Sequence, residues 1–490
     1  NPPKFKILGI WLTSNLDCKD INYAEKFMEI KQLYRVWVKR ILTPLGRIAV
    51  LKSLILSKIV YLWTLLPNPP DQFMQGLNML CLKFIWNKKR DRINRKIARK
   101  TISKGGIGFP DINCFMQALK LSWIRKLKTT SHKWKSLLTI CQPDIETLEK
   151  FGPNRLFKLG EQNAFWKDTF KAYKIFCNKV KPTNSTEILS EPLFFNDKIN
   201  LNSVLLRKRE WINKNVCYVA DLCKADGQYL SYAEFVNKYN IRTNFLSYTS
   251  VIKKVKELVN TLNIQLKDNQ KSNYHTALHI LYSAKKGTRP YYDILVEDDF
   301  KPKCCQKWNE KLNTEINWQK TFRMIQSIPE VKLKWFQIRV VNRILPTNVV
   351  LSSMGVKTDN TCSFCLQEKD SIEHMLWRCT HVNTFWTQFQ QLIRERCGHI
   401  STFTLSEIII LFGNESYFNS DKTLDLILLL AKFFIYTCKM REELPLVSVF
   451  KKILKTRYEI EKYIAFVNLN SASFHTNWHY YKHLIEIEEE

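Results

Sequence analysis

Acidic residues are scarce in this chain, and so are uninterrupted apolar stretches. Its 490 residues include 45 Asp and Glu against 76 Lys and Arg, which leaves a formal net charge of +31 and a pI near 9.5. A charge of that sign attracts polyanions, chiefly nucleic acid and secondarily anionic membrane, with salt-sensitive affinity that specifies no sequence. The most apolar run, Leu424 to Cys438, is broken by Asp425 and Lys432. That is too short to span a bilayer comfortably, so a buried helix is expected there. No apolar signal segment with a small-residue cleavage site opens the chain, and its 14 cysteines are scattered, so a disulfide framework is not expected. A reducing compartment, cytoplasm and nucleus and not the secretory route, fits better. No internal repeat or low-complexity tract is found. A first residue of Asn instead of Met leads us to expect upstream sequence.

What is present is enough for real cores. With 45% hydrophobic and 13% aromatic residues a disordered chain is excluded, and the length predicts roughly two to four domains. Residues 4–12, KFKILGIWL, have the apolar density of a short strand, and helical spacing runs from about Tyr23 to Leu42. Thr43 followed by Pro44 is a helix start, and one helix is expected to run until Pro67, Pro69 and Pro70 stop it. On one ideal helix Arg47 and Lys58 point within about 20° of each other, as a basic stripe or as two solvated cations.

A second helix, FMQGLNMLCLKFIWN, leads into the densest basic run: Lys88, Lys89, Arg90, Arg92, Arg95, Lys96, Arg99, Lys100 and Lys104 around the single acid Asp91. Bounded by Trp86 and Trp123, this run suits a phosphate-tracking surface, with a merely solvated helix face as the alternative. The following KGGIGFPD reads as a tight turn, because Pro110 stands where a phosphate-binding helix would begin. Residues 227–248 look like a helix between loops, and Asn184-Ser185-Thr186 is read as a loop. Asp298 and Asp299 read as a surface turn and not a two-metal centre, since charged residues and a proline follow at once. Two amphipathic helices are expected after them, KWNEKLNTEINWQKTFRMI and VKLKWFQIRVVNRILP. In the second, Lys332, Lys334, Arg339 and Arg343 interleave with Trp335 and Phe336, which suits a nucleic-acid groove as readily as a packed helix with snorkelling cations.

The strongest chemical signal is TCSFCLQEKDSIEHMLWRC at 361–379. Cys362, Cys365, His374 and Cys379 have the order and spacing of a tetrahedral zinc site, in which one tight turn delivers two thiolates. Four protein ligands leave no position for water or substrate, so the zinc is structural and not catalytic. Asp370 with Glu373 reads as a capping pair opening a short helix that carries His374 on its first turn. Five residues rotate an ideal helix about 140° beyond full turns, so Cys379 must sit at or past the helix end. His381 is a substitute ligand, and Cys397 with His399 a weaker one. His275 and His279 share a helix face without a metalloprotease pattern and read as ordinary surface or cap residues. No constellation rises to a catalytic proposal.

The order of these features resembles the downstream part of a LINE-type, non-LTR retrotransposon reverse transcriptase. KFKILGIWL looks like the strand after the palm that grips the primer end, and RILTPLGRIAVLKSLILSKIVYLWTLLP like the thumb helix that follows. FIWNKKR, KGGIGFPDI and ALKLSWIRK continue the pattern, and NWQKTFRMI with CSFC and EHMLWRCTHVNTFW is similar to the C-terminal segment with its Cys-Cys-His-Cys knuckle. Residues from about 131 to 300 match in outline only.

The resemblance implies a mainly α, multi-domain helical chain with a short N-terminal strand and a small zinc knuckle near the C-terminus. Its expected divisions are a thumb-like region (1–130), a mostly helical wrist-like region (131–300), a helical segment ending in the knuckle (301–400) and a helical tail (401–490). The family's catalytic Asp-Asp turn, expected before residue 1, is not in this sequence. The implied role is to hold template RNA and primer duplex while element RNA is copied at nicked target DNA. The partners implied are RNA, DNA and an upstream palm of the same polypeptide, with no membrane. Zinc is expected here and magnesium only in the parent polymerase. The rival reading is a free-standing zinc-knuckle RNA- or DNA-binding protein without polymerase activity.

Overall fold

The computed structural model describes residues 4–13, 19–87, 89–129, 132–141, 148–159, 163–201, 204–268, 270–284, 287–297, 300–397, 404–413 and 422–485. It is mainly helical, 65% helix and 4% strand. Backbone contacts divide the chain into two units, each assembled from separated segments. No single helix among the described residues is long and apolar enough to cross a membrane.

The first unit takes residues 1–39, 50–81 and 110–298. It opens with a hairpin and not the single strand expected: Lys4–Ile7 pairs antiparallel with Ile10–Thr13. The reversal needs left-handed backbone at two adjacent residues, Leu8 (φ 47°) and Gly9 (φ 83°), which apolar density alone does not reveal. Asn22, on the helix Lys19–Trp37, exchanges two 2.8 Å hydrogen bonds with the Trp11 backbone and fixes the hairpin to that helix. The helix Ile112–Thr129 is the unit's axis, packed by Ser57–Leu65, Ala164–Lys179, Thr276–Ser283 and Arg289–Val296. A second core gathers around Trp211, whose ring lies 4.7 Å from that of Phe235.

Two expected helices differ. The run after Thr43 is helical at Pro44–Val50 and Ser57–Leu65, but a π turn at Leu51–Ile55 separates them, so no single straight helix exists. The Thr43 start is real: Gly46 N–H donates to Thr43 Oγ1 at 3.2 Å. Residues 227–248 hold one short helix, Tyr232–Tyr239, with a Ser231/Glu234 capping box, and Asn240 in left-handed backbone ends it before a new helix begins at Phe245.

The second unit takes residues 40–49, 82–109 and 299–490. Its centre is the helix Lys422–Arg441, apolar on nearly every side and buried from Ile427 to Lys432, as the run from Leu424 predicted. Lys303–Leu312, Trp318–Ser327, Val331–Val341, Thr380–Arg396 and Val447–Val467 complete the unit. The first two were expected as one helix; Asn313, left-handed at φ 48°, ends the first. KGGIGF is the tight turn expected, with Gly105 and Gly108 at positive φ. Gly106 is required by proximity: a Cβ there would lie 2.0 Å from the Lys100 carbonyl oxygen.

Candidate metal centre and basic surfaces

The segment 361–379 builds its site from two tight turns. Thr361 bridges antiparallel to Lys369, Cys362 N–H donates to the Glu368 carbonyl at 2.7 Å, and Leu366 N–H donates to the Cys362 carbonyl at 3.0 Å. Leu366 takes left-handed backbone at φ 57° to close that loop. Both thiols are delivered by this loop, and Phe364 N–H donates to Cys362 Sγ at 3.4 Å.

The second turn supplies the other two ligands. His374–Arg378 is a π turn, closed by Cys379 N–H donating to the His374 carbonyl at 2.9 Å. An i→i+5 bond sets residue 379 over residue 374, which a regular α-helix would not do. Cys379 itself is extended (φ −60°, ψ 135°), at the helix end as expected, and begins Thr380–Arg396. The expected Asp370/Glu373 capping pair is not formed. Ser371 caps instead, its Oγ accepting from His374 N–H at 3.1 Å, because the Asp370 carboxylate is taken by buried Lys439 and the Glu373 carboxylate by the more exposed Lys311.

The donor atoms fit zinc. Bonds of about 2.3 Å to sulfur give a tetrahedral edge of about 3.8 Å. Cys362 Sγ lies 3.9 Å from Cys379 Sγ and Cys365 Sγ lies 3.3 Å from His374 Nε2. All four donors fall within 4.8 Å of one another. His374 Nδ1 meets Glu368 Oε2 at 3.0 Å, so the proton belongs on Nδ1 and Nε2 is left for the metal. The hydrogen bond to Cys379, then burial, pushes the Cys362 thiol up, while the same bond lowers Cys379. A dication there favours thiolates and releases protons.

Residues 301–386 match the family described as zinc-binding in reverse transcriptase. All four donors lie inside the match, which supports a reverse-transcriptase-related protein with a structural zinc.

The reverse-transcriptase-type zinc segment is anchored from behind. Asp370 Oδ2 accepts from Asn348 N–H at 2.6 Å and from the Lys439 ammonium, and Asp370 and Lys439 are both buried. Asn348 Nδ2 donates to the Thr361 carbonyl at 2.6 Å. Glu373, also buried, pairs with Lys311 at 2.7 Å and Arg343 at 3.7 Å. Trp386 Nε1 donates to the Leu376 carbonyl at 2.8 Å, and Phe385 stacks among Phe389, Phe434 and Phe450. Glu368 is a neighbour of the site that spacing rules do not single out, and Asp370 and Glu373, which spacing marks as a capping pair, serve as long-range anchors. Neither alternative ligand joins the cluster: His381 is exposed and Cys397 is buried outside it. His399 lies outside the described residues. Twelve of the 14 cysteines are free thiols.

The expected basic residues are distributed unevenly. Arg47 is no part of an exposed stripe. It is 3% exposed, lies over the Phe84 ring and donates to the carbonyls of Arg40, Leu42 and Phe84, an interior tie between the 40–42 stretch and the end of the helix at Phe84. Lys58 is half-exposed and pairs with Glu29 at 3.1 Å. Lys88 lies outside the described residues, as do Asp298 and Asp299. Lys89, Arg90, Arg92, Arg95 and Lys96 are exposed, with Arg95 paired to Asp91 at 2.6 Å and Lys96 over the Phe300 ring. Arg99 and Lys100 are half-buried. Lys332 is exposed over Phe433, and Lys334 is half-buried. Arg339 is half-buried over Tyr436, and burial, then the charge of Arg92, holds its guanidinium below the ordinary arginine value. Arg343 stacks on Trp308 at 4.6 Å. His275 is a cap residue but not on the surface. Wholly buried against the Tyr173 hydroxyl at 3.0 Å, it is pushed down to about 4 by burial.

Proposed function

We propose that this chain is the nucleic-acid-binding thumb and C-terminal portion of a LINE-type reverse transcriptase, holding template RNA and primer duplex during target-primed reverse transcription. One observation carries the reading: a closed Cys-Cys-His-Cys centre, inside residues similar to a reverse-transcriptase zinc segment, on a chain of net charge +31. Saturated ligation gives the metal no substrate position, so it braces the fold while the cations of the second unit meet phosphates. The free thiols accord with a nuclear and cytoplasmic site of action. In this reading magnesium belongs to the polymerase centre, outside the residues given.

The test is fluorescence anisotropy with a labelled RNA–DNA primer–template hairpin across salt concentrations. Log affinity should fall linearly with log salt, and replacing Lys89, Arg90 and Arg92 by Gln should weaken binding across sequences and flatten the slope by about one for each phosphate no longer neutralised. Salt-independent binding, or none at low salt, refutes the reading. Primer extension by this chain alone would show that it carries an active centre, contrary to the role assigned.

A further inference from the structure

Two basic clusters that are about 210 residues apart in sequence meet in the second unit around one cavity of about 340 Å³. We propose that Arg92, Lys303, Lys307 and Arg343 form a phosphate-binding pocket, a site that rests on the nucleic-acid reading above and narrows it to one place. All four line the cavity, and none of its described lining residues is a carboxylate. Lys303 and Lys307 stand four residues apart on the helix Lys303–Leu312, so both face the same way. Like charges so placed repel and weaken a helix unless an anion lies between them. No ion pair with a described carboxylate is found for Arg92, Lys303 or Lys307, although acids pair with cations elsewhere in the same unit, as at Arg378–Glu407 and Arg457–Glu330. The first turn of that helix borders the cavity, and its N–H groups add to the positive field.

Arg343 is the residue whose placement is most deliberate. It occupies the left-handed position after the helix Val331–Val341, at φ 56°, where glycine is preferred. The Schellman pattern is complete: Arg343 N–H donates to the Val340 carbonyl and Ile344 N–H to the Arg339 carbonyl. A side chain is tolerated there less readily than glycine, and the position sets the guanidinium 4.6 Å from the Trp308 ring centre and 3.7 Å from Glu373. Glu373 directly precedes the metal ligand His374, so the zinc segment fixes one wall of the pocket. Arg for a planar fork and Lys for mobile point charges is the combination that phosphate oxygens reward.

The phosphate can come from a nucleic-acid backbone or from a free phosphate, and two measurements separate the sources. The first titrates the labelled primer–template hairpin into the wild-type chain, into R92Q/K303Q/K307Q, and into K452Q/K455Q/K462Q, which removes equal charge from the exposed helix Val447–Val467. The second titrates inorganic pyrophosphate into the same three proteins by calorimetry. The pocket triple variant should lose about tenfold in hairpin affinity per phosphate at 0.1 M salt and about one to two units of salt slope, with the control little changed. The single variant K307Q, on an exposed residue, should move the same way by about one unit, with an unchanged melting curve.

Equal losses in both triple variants overturn the pocket and leave the nucleic-acid reading standing. Pyrophosphate bound by wild type and lost only in the pocket variant, with no hairpin binding, keeps the pocket, assigns it to a free phosphate and refutes the nucleic-acid reading. No binding of either probe overturns both.

Discussion

Replacing Asp370 by Asn removes one charge and almost no volume from behind the metal centre, which makes it the sharpest probe of how that centre is held. Asp370 is 0% exposed and Lys439 6%, so the carboxylate is the counter-charge of an ammonium with little access to water. Breaking a buried pair by removing one partner costs about 3–5 kcal/mol, because the remaining ion is left desolvated and alone. Burial already pulls Lys439 below the ordinary lysine range and Asp370 opposes that pull. Without the carboxylate the amine sheds its proton more readily, which keeps the cost near the lower figure, about 3 kcal/mol. Domain stabilities are about 5–15 kcal/mol, so such a loss is large without being fatal. Hydrogen exchange is the suitable assay, since it reads local opening, and the Asn348 amide that donates to Asp370 reports directly. Exchange across residues 347–379 should accelerate about a hundredfold in D370N, and K439M in the same chain should recover most of it. Protection in D370N within a factor of two of wild type would show that the pair contributes nothing, and the reasoning fails.

Three further outcomes are expected. Zinc content should fall from about one ion per chain to none in C379S, measured by inductively coupled plasma mass spectrometry; a folded, metal-free wild-type protein ends the zinc assignment. E368Q should lower zinc affinity about tenfold in competition with a chromophoric chelator, at the low end for such partners because Glu368 is 72% exposed. His275 has a folded value of about 4 against 6.5 unfolded, so the unfolded chain binds the extra proton between those values and stability falls as pH drops through that window. The loss amounts to about 3 kcal/mol by pH 4, and urea melts of H275Q should show a correspondingly flatter profile from pH 7 to pH 4.

What the sequence made legible were features with local causes. Thr43 and Pro44 start a helix because one supplies an acceptor and the other a preset φ. Cys362, Cys365, His374 and Cys379 announce a metal because their chemistry and spacing are unusual together. Even the end of the helix at Cys379 follows from counting rotations. The π turn that satisfies that count was not legible, since it depends on the metal ligands and on packing around Met375 and Leu376, both fully buried. Nor was the fate of Arg47, where a cation on a predicted polar face turned inward because three carbonyls waited there. Asn313 and Asn240 broke helices by adopting left-handed backbone, which Asn tolerates but does not require. Glu373 looked like a capping residue by spacing and was claimed by Lys311 and Arg343, partners 62 and 30 residues away in the chain. There long-range electrostatics overrode a local rule.

The segmented second unit has a consequence for synthesis. Residues 82–109, with Trp86 and the basic run, are made about 190 residues before the helices they pack against, which at about 5–20 residues per second is a delay of about 10–40 s. Trp86 meets Trp335, and the turn around Gly105 sits on Phe322. During that interval a strongly cationic strap with its tryptophan uncovered must remain soluble on the ribosome. Starting the chain near residue 299 removes the strap altogether and exposes the helices it covers, so a fragment cut at that boundary should aggregate where the longer chain does not.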